Sequence, residues 1–401
     1  MKFQNEWPAY GAHDQLNNYI KGLFQTLPVF TSLQDDASVL NVYAGIQTFK
    51  IYSDVLIFGI GGSSLGGQAL YALKNAGKPT LHFVDNIDPA AFLYQLNILD
   101  LKNTAIICIS KSGNTAEPLM QLLLTVQQYE KQNIDWQKQC AVLTEPTDNA
   151  LRLFAKKHRL LAFDHPTDIG GRYNVFTSVG AIIAGLCDFG FSKFRQGARD
   201  LIEKSDLTDL LQGAMHTAHI HKEQSINQSV MMVYSQYLEL FSEWFCQLWG
   251  ESLGKQHNNK RLGLTPVRAL GAVDQHSQLQ LYLDGPRDKF ITFITVDSHK
   301  ETDLVPATGI DHKSFKTLEG KTMGALFKAE EQGTFDTLKS NGCLLRKISL
   351  AQLNEYEMGE LMAFYMIETM ATAYLLGVDP FDQPAVEESK IRAMAYLENG
   401  K

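Results

Sequence analysis

Little in this 401-residue chain suits a metal site or a disulfide scaffold. Its five cysteines (Cys108, Cys140, Cys187, Cys246, Cys343) are odd in number, widely spread and mostly set in apolar stretches. They read as reduced core residues of a cytosolic protein. Neither CxxC nor HExxH occurs, which removes the common zinc spacings. His216, His219 and His221 lie close in sequence but lack carboxylate or cysteine company at ligand spacing, so they read as structural or solvated. Positive charge is scarce too: 36 Lys and Arg stand against 44 Asp and Glu, a net charge of -8. That leaves no basic footprint for nucleic acid or a membrane surface. No run approaches the ~18 apolar residues of a membrane span. Met1 to Glu6 lacks the charged-then-apolar pattern of a signal peptide. The expectation is a cytoplasmic chain with no nucleic-acid or membrane partner.

What is present is core material, 45% hydrophobic residues over a length that allows about two or three domains. β-forming runs at 55–60, 80–84, 104–109, 140–143 and 160–163 alternate with helical periodicity. Such alternation predicts an α/β fold with a parallel sheet covered on both faces and ligand loops at the strands' C-terminal ends. The second half repeats the scheme less clearly. It has an apolar run at 230–234 that period alone cannot type, a helix over 236–248, strands at 290–296 and 344–348, and helices over 355–376 and 387–398. Composition turns toward charge over 195–209, which places a domain boundary there.

Two loops carry the chemistry. Ser110-Lys111-Ser112-Gly113-Asn114-Thr115-Ala116-Glu117 lies between a buried strand and a long helix, and presents hydroxyls and free N–H groups where a helix dipole favours an anion. Gly61-Gly62-Ser63-Ser64-Leu65-Gly66-Gly67 follows the strand at 55–60 in the same way. Two seats of one kind suggest one phosphorylated ligand held from two sides. Nucleotide motifs fail here. Ser64 occupies the third glycine position of GxGxxG, and Gly67-Gln68 stands where a P-loop needs Lys-Ser/Thr.

Six motifs then occur in one order: GIGGSSLG at 59–66, SKSGNTAE at 110–117, GGRY at 170–173, QLWGES at 247–252, DQH at 274–276 and FDQPAVEESK at 381–390. On these residues the chain resembles the glucose-6-phosphate isomerase family over most of its length. The resemblance implies two SIS-type parallel-sheet domains flanked by helices: 1–195 with an N-terminal helical extension, and 196–370. A C-terminal helical segment, 371–401, is expected to pack at the active site. It also implies a cofactor-independent interconversion of glucose 6-phosphate and fructose 6-phosphate, in glycolysis and gluconeogenesis, with no metal. Such a reaction opens the sugar ring, removes the C2 proton and returns a proton to C1 through a cis-enediol. A carboxylate is a weak base toward carbon, so the enediol charge must be stabilised by a preorganised cation or dipole.

By that resemblance Glu251 is the base and Arg172 the enediolate stabiliser. Gly170-Gly171 are expected to let the main chain turn Arg172 inward. His276 assists ring opening, and Lys390 acts near the ring oxygen. Gln247 and Gln383 contact the ligand. Gly62, Ser63, Ser110, Ser112 and Thr115 hold the phosphate, with Lys111 contributing mainly its backbone N–H. His276 is implied to serve the neighbouring subunit's site, which makes a homodimer the expected assembly. Three positions depart from the family pattern: Asn174 replaces serine, Thr167 an acidic or amide residue, and Ala385 glycine. Two alternatives stay open, another SIS-type isomerase with phosphomannose or amino-sugar specificity, and a noncatalytic sugar-phosphate sensor. A sensor would usually carry a basic DNA-recognition segment, and none is seen.

Overall fold

The computed structural model describes all residues except 75, 76, 205, 225, 299 and 401. The chain opens with β1 (Lys2–Asn5), and a helical stretch leads to β2 (Asp54–Phe58), β3 (Thr80–Val84), β4 (Thr104–Ile109), β5 (Cys140–Thr144) and β6 (Leu161–Asp164). These last five form one parallel sheet in the order β3-β2-β4-β5-β6. All six residues of β4 are buried, as expected of a central strand covered on both faces. Strand order reverses between β2 and β4. Ligands of open α/β sheets bind at such a switch point, and the two hydroxyl-rich loops leave from these two strands.

The second half supplies β7 (Gln228–Val233), a short antiparallel hairpin of β8 (Lys255–His257) and β9 (Lys260–Leu262), then β10 (Thr265–Leu270), β11 (Lys289–Val296) and β12 (Leu344–Leu350). The second sheet runs β1-β12-β11-β7-β10. Its parallel part repeats the topology of the first, with β7 flanked by the two strands that follow it in that sheet. The ambiguous run at 230–234 is therefore a strand for most of its length.

Two features depart from the expected domain limits. β1 lies within 1–195 yet pairs antiparallel with β12 of the second sheet, Phe3 opposite Ile348. Helix Glu355–Leu376 runs unbroken through position 370. A four-residue strand carries too few positions for a periodic signal, which is why the N-terminus read as helical only. β10 escaped for a related reason: on this edge strand only Ala269 is fully buried, and Pro266 weakens the strand pattern. Beyond β1 the N-terminal segment stays attached, with Trp7 stacked on His216 at 4.0 Å and the Tyr10 hydroxyl 3.0 Å from His216 Nδ1. His216 is thus a packed core side chain. Among the described residues no group of three His, Cys, Asp or Glu could hold a metal. No described helix is long and apolar enough to cross a membrane.

Two buried histidines set an acid limit on stability. Burial lowers His165 to about 4, with Lys111 adding to the shift, and it lowers His216 to about 3, with the Arg346 charge adding there. The unfolded chain binds these protons below about 6.5, whereas the folded chain refuses them until far lower pH. Stability therefore falls as pH drops from about 6.5 toward 4, by up to ~1.4 kcal/mol per pH unit for each histidine. Urea midpoints at pH 7, 6 and 5 should show this decline, and His216→Gln should flatten it.

Candidate active site

The site starts at the switch point. After β4, Ser110 is buried, donates its hydroxyl to Thr115 Oγ1 at 3.0 Å and accepts from the Gly113 N–H at 3.1 Å. Gly113 has φ +65°, and a Cβ there would lie 1.8 Å from Asn149 Oδ1, so the turn admits glycine alone. Ser112 is exposed, its hydroxyl accepting from the Asn114 N–H at 3.2 Å. Thr115 precedes helix Ala116–Lys131 without capping it through its side chain, which leaves the first-turn N–H groups to a ligand. Lys111 turns its ammonium away, onto the Ile169 carbonyl at 2.9 Å and toward Glu145 at 3.8 Å. That bond ties the loop to the segment leading into Gly170-Gly171-Arg172.

After β2, Gly61–Ser63 forms a single tight turn before helix Leu65–Lys74. Gly62 lies against Gly171: a Cβ on Gly62 would fall 2.3 Å from the Gly171 carbonyl. Gly170 itself takes φ -65° and ψ 150°, a conformation open to any residue. The expected reason for glycine here is therefore corrected. The close pass needs glycine at position 62, whereas a Cβ on Gly171 would lie 3.7 Å from Gly62 Cα, an ordinary contact, and the chain turns inward without a special dihedral at Gly170.

Helix Glu239–Leu253 presents Gln247 and Glu251 one turn apart. Trp244, Phe245, Leu248 and Trp249 bury the helix in the core, while Glu251 keeps its side chain 30% exposed. Gln247 Nε2 donates to Glu251 Oε1 at 3.1 Å, and Arg172 Nη1 donates to Glu251 Oε2 at 3.1 Å. The same Nη1 reaches Gln383 Oε1 at 2.7 Å. Arg172 Nε donates to Ser252 Oγ at 2.9 Å, and Nη2 to the carbonyls of Pro380 at 2.5 Å and Asp382 at 3.0 Å. All five N–H groups of this buried guanidinium are thereby satisfied. A carboxylate, a fixed cation and two amides meet beside two anion-ready loops. Such a set can move a proton while holding the charge that develops.

Two expected residues stand apart in the single chain. His276 ends the turn Val273–His276, is exposed, and its imidazole makes no hydrogen bond among the described residues. Lys390 does not join Glu251. It pairs with Glu387 at 2.7 Å on helix Glu387–Asn399, which has no buried residue. Of the expected C-terminal segment, residues 380–383 reach the site through Arg172, whereas helix Glu387–Asn399 is exposed along its length within one chain. Sequence reading also passed over Tyr173, Ser252 and Lys255. Ser252 adjoins Glu251, and on a helix the next residue points about 100° away, here inward to Arg172. Lys255 bonds the Asp382 carbonyl and side chain, which helps hold the segment that carries Gln383.

Twin, mainly parallel sheets flanked by helices define an SIS-type α/β fold, shared with a solved tagatose-6-phosphate ketose/aldose isomerase from Escherichia coli at TM-score 0.52 and 14% identity. Within it the chain belongs to the phosphoglucose isomerase family, whose sequence model matches residues 39–400. It is 35% identical to a probable glucose-6-phosphate isomerase of Methanococcus maripaludis over 95% of this chain and 86% of that one. It is also 35% identical to the glucose-6-phosphate isomerase of Thermus thermophilus over 84% and 82%. A solved hypothetical protein of Thermus thermophilus superposes with TM-score 0.89 at 30% identity, covering 96% of this chain and 94% of that one.

Proposed function

We propose that this chain interconverts glucose 6-phosphate and fructose 6-phosphate without a cofactor, by ring opening and a cis-enediol, as a glycolytic and gluconeogenic enzyme of the cytoplasm. The observation that carries the reading is the 3.1 Å contact between Arg172 and Glu251, reached by the same loops that offer hydroxyls and helix N–H groups to a phosphate. Glu251 shuttles the proton between C2 and C1. Arg172 holds the enediolate charge, and its guanidinium stays cationic throughout. Gln247 and Gln383 orient hydroxyls. Gly62, Ser63, Ser110, Ser112, Thr115 and the Lys111 N–H take the phosphate, while His276 and Lys390 serve ring opening.

A homodimer completes this arrangement. The exposed imidazole of His276 has no hydrogen bond among the described residues, Val273 and Leu281 nearby in sequence are exposed, and the last helix exposes Ile391, Met394, Tyr396 and Leu397. Both features suit a surface that a second copy covers, and an imidazole delivered across it suits proton transfer near neutrality. Coupled assays on fructose 6-phosphate and mannose 6-phosphate test the reaction. Turnover of the first should dominate; binding without turnover of either would favour a sensor, and turnover of mannose 6-phosphate alone a different isomerase. For the assembly, His276→Ala and Glu251→Gln chains, each impaired alone, should regain activity when unfolded together and refolded as a mixture. One mixed site then keeps both wild-type groups. No recovery in a proven mixed dimer would place His276 in its own chain's site.

A further inference from the structure

Arg172 has a fixed back and a free front. Its front, Nη1, meets only side chains, Glu251 and Gln383, both at the edge of solvent. Its back is held by buried groups. Nε donates to Ser252 Oγ at 2.9 Å, Ser252 Oγ lies 2.8 Å from the Tyr173 hydroxyl, and the Tyr173 hydroxyl donates to the Pro380 carbonyl at 3.2 Å. Nη2 closes the ring on that same carbonyl. A guanidinium only donates and a carbonyl only accepts, so the direction of both intervening hydroxyls is settled. Ser252 accepts from Arg172 and donates to Tyr173, which donates to Pro380. Arg172 and Tyr173 are each 3% exposed and Ser252 is 0% exposed, so water does not compete for these bonds.

We infer that Tyr173 and Ser252 form a hydroxyl relay that locks the plane of the Arg172 guanidinium, making both residues positioning residues for the isomerisation. The inference rests on the reading of Arg172 as the enediolate stabiliser. A ligand can then exchange the partners of Nη1 while Nε and Nη2 stay seated, so the cation need not reorient as charge develops. Burial pushes the Tyr173 hydroxyl up to about 12, so it remains a donor across neutral pH. Its ring is held separately, 5.7 Å from that of Phe381. Tyr173→Phe therefore removes the relay's central link and little else.

The test is a double-mutant cycle read in kcat. Tyr173→Phe should lower kcat about tenfold with KM changed less than twofold, and Ser252→Ala should do the same. In an Arg172→Ala background, Tyr173→Phe should have no further effect, because a residue that acts through the guanidinium has nothing left to orient. A purely structural tyrosine would give the same fold-loss in both backgrounds and would overturn the relay, as would a wild-type kcat in Tyr173→Phe. Should Ser252→Ala fail to fold, the tyrosine arm decides alone. If Arg172→Ala itself keeps a wild-type kcat, the reading of Arg172 falls and the relay with it. If Arg172→Ala is crippled and Tyr173→Phe is not, only the relay falls.

Discussion

Glu251→Gln should lower kcat on fructose 6-phosphate by roughly 10² to 10⁴, the usual scale for removing a general base. Few substitutions at this site change so little else. The amide oxygen can accept from Arg172 as Glu251 Oε2 does, and its NH₂ then faces Gln247. Gln247 can adapt, because its Oε1 is buried without a hydrogen-bond partner and an amide flip would turn that acceptor toward the new donor. Folding should be nearly intact, and KM should move less than kcat. Thermal melting beside single-turnover kinetics separates the two effects. An unchanged rate in a folded variant would remove Glu251 from its role.

How much of this was readable before the structure follows from where each signal lies. The two hydroxyl-rich loops were legible as strand-to-helix turns because their residues are unusual: Ser110-Lys111-Ser112-Gly113 and Gly61-Gly62-Ser63 place hydroxyls and glycines between strand and helix patterns. The parallel sheet was legible from alternation, since β4 is buried at every position and reads as one apolar run. The contact of Gly62 with Gly171 was not, because it joins loops 109 residues apart and no local pattern records it. β1 was hidden by its length, and β10 by its exposed edge. Gln247 and Glu251 could be paired from helical spacing, whereas Arg172 and Gln383 lie 211 residues apart: the family resemblance gave each a role, and only the structure joins them. Ser252 was within view in every reading of its motif. Its inward direction becomes informative only once the partner of Arg172 Nε is known.

The second large effect falls on Arg172. Arg172→Ala should cost about 10² to 10³ in kcat, the scale for losing a preorganised donor to a developing oxyanion. Unlike Glu251→Gln, it should also destabilise the fold. The carbonyls of Pro380 and Asp382, the Ser252 hydroxyl and the Glu251 carboxylate would all lose a charged donor at once. Glu251 reaches solvent, so the cost lies mainly in the buried acceptors left without a donor, about 1–3 kcal/mol each. The segment 380–383 would keep Lys255 as an anchor but lose its grip on Gln383, so proteolysis near that segment should quicken. Arg172→Lys separates charge from geometry. A lysine restores the cation, but one ammonium cannot reach Glu251 and Gln383 on one side while holding Ser252, Pro380 and Asp382 on the other. It should recover much of the KM and little of the kcat, because what the isomerisation needs is a cation held still. Full recovery of kcat by lysine would mean that positive charge alone suffices, and that the five-bonded seat of Arg172 serves folding instead of the reaction.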